Sequence, residues 1–212
     1  MSEILDLLNS DLGQSIVKGV SGQTGQDESK TSNVLTMALP ILMQAMKRNA
    51  ATPEGAEGLL GALNNSNHDG RILDDIGGLF GGGVDTNVMD DGGKILGHIL
   101  GNKQPNVEAA LGQKSGMDTG SIAQILKIAA PLLLGLLGKQ SRQQNINSST
   151  GIEGLLGGLL GGNSQEQEQS FLNAMLDANG DGSIIDDVAG MVLDSGKKKG
   201  GLGGLLGGLF NS

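Results

Sequence analysis

The chain repeats its own sequence at two spacings, and no other feature limits its fold so strongly. Residues 4–47 align without a gap on residues 95–138, with 8 of 44 positions identical and a closer match among the apolar positions. Residues 59–80 align on residues 171–192, with 9 of 22 positions identical, most of them in a polar loop. Both alignments keep the same order along the chain, so we expect a tandem duplication of one module.

The two alignments define the predicted organisation of the chain. The first copy covers residues 1–83, and the second covers residues 84–196. The second copy is longer because of an insertion rich in glycine and leucine near 154–170. A tail rich in lysine, glycine and leucine follows at 197–212.

Apolar residues recur at helical spacing in both copies, which predicts an all-α fold. Stretches that alternate with a period of two are few and β-branched residues are sparse, so we expect no sheet. Asp118 or Thr119 is placed to cap a helix in the second copy. Pro131 falls inside an apolar run, where it should kink that helix or start a new one.

Leu-Gly-Gly segments occupy residues 154–162 and 200–210. Glycine costs about 1 kcal/mol per residue in a helix relative to alanine. These segments should therefore become helical only when they pack against another surface. A poorly ordered linker and tail is the alternative interpretation.

Composition excludes several classes of function. Three phenylalanines are the only aromatic residues, so the core must be aliphatic, and the absence of cysteine excludes disulfides and thiolate metal ligands. The formal charge of −9 and the lack of lysine and arginine clusters argue against nucleic-acid binding. No nucleophile, phosphate-binding or paired-carboxylate motif stands out, so we expect no enzyme activity.

The sequence predicts a water-soluble, cytoplasmic protein. Residues 1–6 lack the basic and apolar regions of a signal peptide. The most apolar stretch, residues 129–138, is about half the length of roughly 20 residues that a membrane-spanning helix needs.

The strongest chemical signal is an acidic loop in the second copy, at residues 177–187. It matches the first half of an EF-hand or dockerin calcium loop, in which oxygen ligands at positions 1, 3 and 5 precede a glycine at position 6. Val188 stands where an EF-hand has its bidentate carboxylate at position 12, so the closing ligand would be an acid one residue earlier and binding should be weaker. The predicted ligands of this loop are Asp177, Asn179, Asp181, Ser183 and Asp187.

The first copy carries a weaker version of the same loop at residues 65–75. Position 1 is an asparagine instead of an aspartate, and Arg71 lies close by, so we expect this site to be weaker or empty. Its predicted ligands are Asn65, Asn67, Asp69 and Asp75. For both loops the alternative is a turn rich in Asp and Asn in which the last two acids favour a helix N-terminus.

Two further patterns in the sequence do not predict a functional site. His68 and His98 lack partners at metal-ligand spacing, so a zinc site is not expected. Residues 107–128 have the outline of a helix-turn-helix with Gly116 at the turn, but the second helix is dominated by Ile, Leu and Ala. A DNA-reading helix would expose Arg, Lys, Gln or Asn, so a packing motif is favoured.

Residues 93–139 resemble the DUF937, or YidB-like, family of bacterial proteins of unknown function. The match lies in Ile-Leu-Gly-His-Ile-Leu-Gly-Asn-Lys at 95–103, in Val107-Glu108, and in the Ala-Pro at 130–131 with the leucine-rich helix after it. The resemblance implies a homeodomain-like helical fold and brings no agreed activity or functional residues.

The sequence thus predicts an all-α protein of two tandem helical modules that binds calcium and associates with itself or with a protein partner. Association with a membrane surface or cell envelope through the Leu-Gly-Gly segments is the alternative.

Overall fold

The computed structural model describes residues 8–65, 68 and 70–160, and within these residues it contains helices and turns but no strand. The all-α prediction is therefore confirmed for this part of the chain. The helices are α1 (Asp11–Thr24), α2 (Glu28–Ala50), α3 (Pro53–Asn64), α4 (Arg71–Asp74), α5 (Ile76–Gly81), α6 (Thr86–Leu100), α7 (Gln104–Ser115), α8 (Thr119–Gln143) and α9 (Ser149–Leu159), with a 3₁₀ turn at Gly101–Lys103.

Two helix pairs, α1–α2 and α7–α8, share the same connection. Gly25 ends α1 with a φ of 65° and Gly116 ends α7 with a φ of 68°, a left-handed conformation that glycine adopts without strain. An aspartate follows two residues later and caps the next helix: Asp27 accepts hydrogen bonds from two backbone N–H groups of α2, and Asp118 accepts one from α8. The predicted cap and turn in the second copy are confirmed.

The long helices α2 and α8 pack against each other and form the centre of the fold. Each contains an internal proline, Pro40 or Pro131, and continues through it. Pro131 therefore does not start a new helix. The core is aliphatic, as predicted, and its largest fully buried side chains are Leu35, Leu42, Met43, Met46, Leu96, Leu111, Ile122, Ile125, Leu126, Ile128, Leu134 and Leu137.

Helices from both sides of residue 84 contribute to this one core. α1 packs on α2 and also on α8, while α7 packs on α8 and also on α2. α3 packs on both long helices, and α9 packs mainly on α2 and α3. The helices before and after residue 84 therefore interleave. The division into two modules, its boundaries and the homeodomain-like character of the modules remain predictions.

A close backbone approach joins α6 to α8. A Cβ atom on Gly92 would overlap the backbone carbonyl oxygen of Lys127. Pro131 has no N–H to donate to the carbonyl four residues earlier, which is that of Lys127. The α-carbon of Gly92 therefore covers a carbonyl that the proline leaves without its helical partner.

Among the described residues, α8 is the one helix long and apolar enough to cross a membrane. Of its most apolar window, 67% is buried within the protein, as in the core helices of water-soluble proteins.

Candidate functional site

The first predicted cation loop, residues 65–75, follows α3, contains α4 and ends where α5 begins. Asn65 lies exposed at the C-terminal end of α3, and Gly70 adopts a left-handed φ of 92° immediately before α4. Asp75 accepts a hydrogen bond of 2.8 Å from the backbone N–H of Gly78 and so caps α5. Asn67 and Asp69 lie outside the described residues. The structure thus gives Asp75 the capping role that was the alternative to a ligand role.

A buried histidine anchors this loop to the second half of the chain. The His68 side chain is 7% exposed, and its Nε2 lies 2.7 Å from Oδ2 of Asp91 on α6. Its Nδ1 lies 3.0 Å from the carbonyl oxygen of Ala62 on α3. Both partners can only accept, so the ring donates to both at once when both nitrogens carry a proton.

An ion pair holds the far end of the loop. Nζ of Lys139 on α8 lies 2.8 Å from Oδ1 of Asp74. The two side chains are 44% and 63% exposed, so this pair stabilises the fold only weakly. It nevertheless places a lysine ammonium against the acidic end of the loop.

Two glycines of α8 let the loop lie flat on that helix. A Cβ on Gly138 would overlap the carbonyl oxygen of His68, and one on Gly135 would lie 2.8 Å from Cγ2 of Ile72. Counted from Asn65, Ile72 is position 8 of the loop. Larger residues at these two positions of α8 would lift the loop from the core.

The His68–Asp91 pair faces a groove of about 400 Å³ between α3, α6 and the end of α2, which we call the polar groove. Its volume lies within the range of about 300–1,000 Å³ typical of ligand sites. Most of its exposed surface is apolar. Its polar lining residues are Asn49, Asn65, His68, Asp91, Lys94 and His98.

A second groove, of about 330 Å³, lies between α1, α2, α8 and the end of α9, and we call it the apolar groove. Gln140 is the one polar side chain among its lining residues, and none of them is charged. Leu12 and Leu136 are partly exposed at its rim. A surface of this composition is suited to apolar contacts and offers almost no hydrogen-bonding specificity.

The remaining predicted ligands, Asp177, Asn179, Asp181, Ser183 and Asp187, lie outside the described residues. Within the residues that the structure describes, no group of three or more His, Asp or Glu side chains is arranged to hold a metal ion. The calcium prediction for the second loop is therefore untested.

Sequence reasoning missed the pairing of His68 with Asp91. The two residues are 23 positions apart, and no motif joins them. One signal was present: His68 occupies a loop position at which the second copy has Gly180, so the two loops were not equivalent there.

The model of the bacterial protein family of unknown function DUF937 matches residues 6–140, which is more than half of the chain. The chain belongs to the DUF937 family. The matched part extends from α1 almost to the end of α8, and the loop at 177–187 lies beyond it. No curated protein and no solved structure matches this DUF937 member.

Proposed function

We propose that the protein is a non-catalytic helical module, built by tandem duplication, that binds a divalent cation through its second acidic loop and acts by association. Calcium suits the loop because hard oxygen ligands predominate in it. The observation that carries the cation proposal is the conformation of the first loop.

The first loop supports the assignment of positions. Gly70, at position 6, adopts the positive φ that the sharp turn of a calcium loop requires, and Ile72 at position 8 packs onto the core. Gly182 and Ile184 occupy the same positions in the second loop.

The charges explain why the second loop needs an external cation and the first does not. In the first loop, Lys139 pairs with Asp74, and Arg71 supplies a second positive charge. The second loop has Gly180 in place of His68 and Ser183 in place of Arg71. It also has Asp177 in place of Asn65, so it carries more negative charge with fewer cations of its own.

The two grooves support the duplication. Residues of both α2 and α8 line each groove, and a shift of 91 residues pairs three lining residues of one groove with three of the other. The pairs are Leu8 with Ile99, Met43 with Leu134, and Asn49 with Gln140.

Calorimetric titration of calcium into the chelator-treated full-length protein tests the cation proposal. We expect one site per chain, weaker than about 10⁻⁵ M because the position-12 carboxylate is missing. Asp177→Asn with Asp181→Asn should abolish the heat. Glu166→Gln with Glu168→Gln is the matched control, since it removes the same number of negative charges outside the loop of residues 177–187 and should leave binding intact. If the wild-type protein gives no heat above dilution and no shift in Tm, the proposal is wrong.

Association with a membrane surface is the second candidate function, and its basis is Lys197–Lys199 next to a Leu-Gly-Gly tail. Flotation with vesicles of phosphatidylethanolamine and phosphatidylglycerol, with and without residues 197–212, tests it. Loss of flotation on truncation would favour this candidate, whereas absence of flotation in the full-length protein would exclude it.

A further inference from the structure

The polar groove combines an apolar lining with charged side chains, and both histidines of the chain lie in it. Met46, Leu59 and Leu134 are buried in its lining. Ile95 and Ile99 of α6 also line it and are only half-buried, so part of each side chain is open to a ligand. Small-molecule sites have this composition, with apolar walls and a few polar groups that fix the orientation of the ligand. The groove therefore suits a ligand with an aliphatic part.

The groove runs between two antiparallel helices, α3 and α6, with a polar contact at each end. At one end, His68 lies within hydrogen-bonding distance of both Ala62 on α3 and Asp91 on α6. At the other end, a Cβ on Gly58 of α3 would lie 3.5 Å from Nε2 of His98 on α6. Asp91 and His98 are related as i and i+7, which corresponds to about 10 Å along a helix. The space between the two polar contacts is therefore about 10 Å long.

The charges of the groove are not balanced. Asp91 is the one acid among the described lining residues, and its Oδ2 already lies 2.7 Å from Nε2 of His68. Lys94 forms no ion pair within the described ranges. His98 lies one turn after Lys94 on the same face of α6, at i+4. In a chain with a formal charge of −9, this groove thus presents an ammonium without an ion-pair partner beside an imidazole, a combination that favours an anion.

We propose that the polar groove binds an aliphatic carboxylate, with the anionic group at Lys94 and His98 and the aliphatic chain against the apolar lining. The carboxylate of Asp91 repels an anion, so the anionic group lies at the His98 end and the chain extends towards His68. Bonds of about 1.5 Å at roughly tetrahedral angles advance an extended chain by about 1.25 Å each, so about eight bonds span the roughly 10 Å between the two ends. Binding here does not require the cation proposed for the loop at 177–187.

The two histidines give the test a signal from the site itself. Because the chain has no tryptophan or tyrosine and only three phenylalanines, the ring C–H protons of His68 and His98 stand out in a proton NMR spectrum. His98→Gln assigns the two sets of signals. Octanoate titrated into the full-length protein at a fixed neutral pH should shift the His98 signals along a saturating curve for one site. We expect a Kd on the order of 10⁻⁴ M for a ligand of about ten non-hydrogen atoms.

Two related ligands separate the contribution of the chain from that of the charge. Hexanoate should bind about tenfold more weakly than octanoate, because it has two fewer CH₂ groups to bury. Octylammonium has the same aliphatic chain with a positive charge, and repulsion by Lys94 should weaken its binding by about tenfold. The difference between octanoate and octylammonium should shrink as the salt concentration is raised, because salt screens partly exposed charges.

Two pairs of variants locate the ligand in the groove. Lys94→Glu should weaken octanoate binding by about tenfold, whereas Lys114→Glu, on the exposed surface of α7, should leave it unchanged. Gly61 lines the groove and a Cβ there meets nothing within 4 Å, so Gly61→Leu should fill part of the space and weaken binding. Gly97→Leu is its control, since Gly97 is equally open but does not line the groove. Circular dichroism checks that all four variants remain folded.

Several results would overturn the proposal. Unchanged signals of both histidines at millimolar octanoate would show that the groove does not bind the ligand. Equal binding of octanoate and octylammonium would show that the groove does not select an anion. His98 signals that change with protein concentration, and do not respond to octanoate, would identify a second copy as the occupant. A response to phosphatidylglycerol vesicles without a response to octanoate would assign this face to a membrane surface.

Discussion

The substitution Gly92→Ala should separate the two helices that pack most extensively, α6 and α8. The added methyl group would overlap the carbonyl oxygen of Lys127, a backbone atom inside a long helix that cannot rotate away. Overpacking costs about 1–3 kcal/mol, and a clash with a fixed backbone atom should lie in the upper part of that range, at about 2–3 kcal/mol. Alanine recovers about 1 kcal/mol through its better helix propensity. We therefore expect the free energy of unfolding to fall by about 1–2 kcal/mol.

Gly97→Ala provides a matched control in the same helix. Nothing lies within 4 Å of a Cβ at Gly97, and the residue is exposed. Only the propensity term acts there, so the variant should be more stable than the wild type by about 0.5–1 kcal/mol. The same glycine-to-alanine substitution should therefore lower the free energy of unfolding at Gly92 and raise it at Gly97, although both residues lie in α6.

Urea unfolding followed by far-UV circular dichroism measures both effects, since the chain has no tryptophan or tyrosine for fluorescence. In thermal unfolding followed by the same signal, the Tm values of the two variants should differ by about 3–12 °C, at about 2–4 °C per kcal/mol for a chain of this size. If both variants shift in the same direction, or if Gly92→Ala is as stable as the wild type, then the contact between α6 and Lys127 is not as described.

Three other substitutions test the interior and one helix cap. His68→Ala should lower the free energy of unfolding by about 1–3 kcal/mol, and a double-mutant cycle with Asp91→Ala should show positive coupling between the two side chains. Thr31→Val should raise the free energy of unfolding by about 1 kcal/mol, because the buried hydroxyl has no hydrogen-bond partner among the described residues; an unchanged urea midpoint would contradict this. Hydrogen bonds from the Ser121 hydroxyl and backbone N–H lower the pKa of Asp118 below 3.8. The contribution of Asp118 is therefore full above pH 3.8 and is lost as the pH falls through the lowered pKa. The loss of Tm in Asp118→Ala should accordingly be clear at neutral pH and shrink in acid.

Local features of the fold could be predicted from the sequence because they depend on a few neighbouring residues. The cap at Asp118 and the turn at Gly116 need only an acceptor side chain and a residue tolerant of positive φ. The helical periodicity likewise identified the all-α fold. These are short-range effects, and the structure confirms them.

Long-range features could not be predicted, because spacing along the chain does not say which helices meet. The duplication predicted two tandem modules, and it gave no indication that α1 and α7 would each pack on both long helices. The 65–75 loop was expected to offer oxygen atoms to an ion, but its described anchor is His68 on Asp91, across 23 positions. Such a pair depends on tertiary folding and leaves no periodic signal.

The glycines differ in their structural roles, which composition alone does not reveal. The 38 glycines suggested one property, a low tendency to form helix, yet those within the described helices have two distinct environments. Gly92, Gly135 and Gly138 are buried where another segment presses on the helix, so a side chain there would force the core apart. Gly58 and Gly154 lie on the outer faces of helices whose leucines are buried. A count of glycines therefore does not show which positions tolerate a side chain, because that depends on what packs against each one.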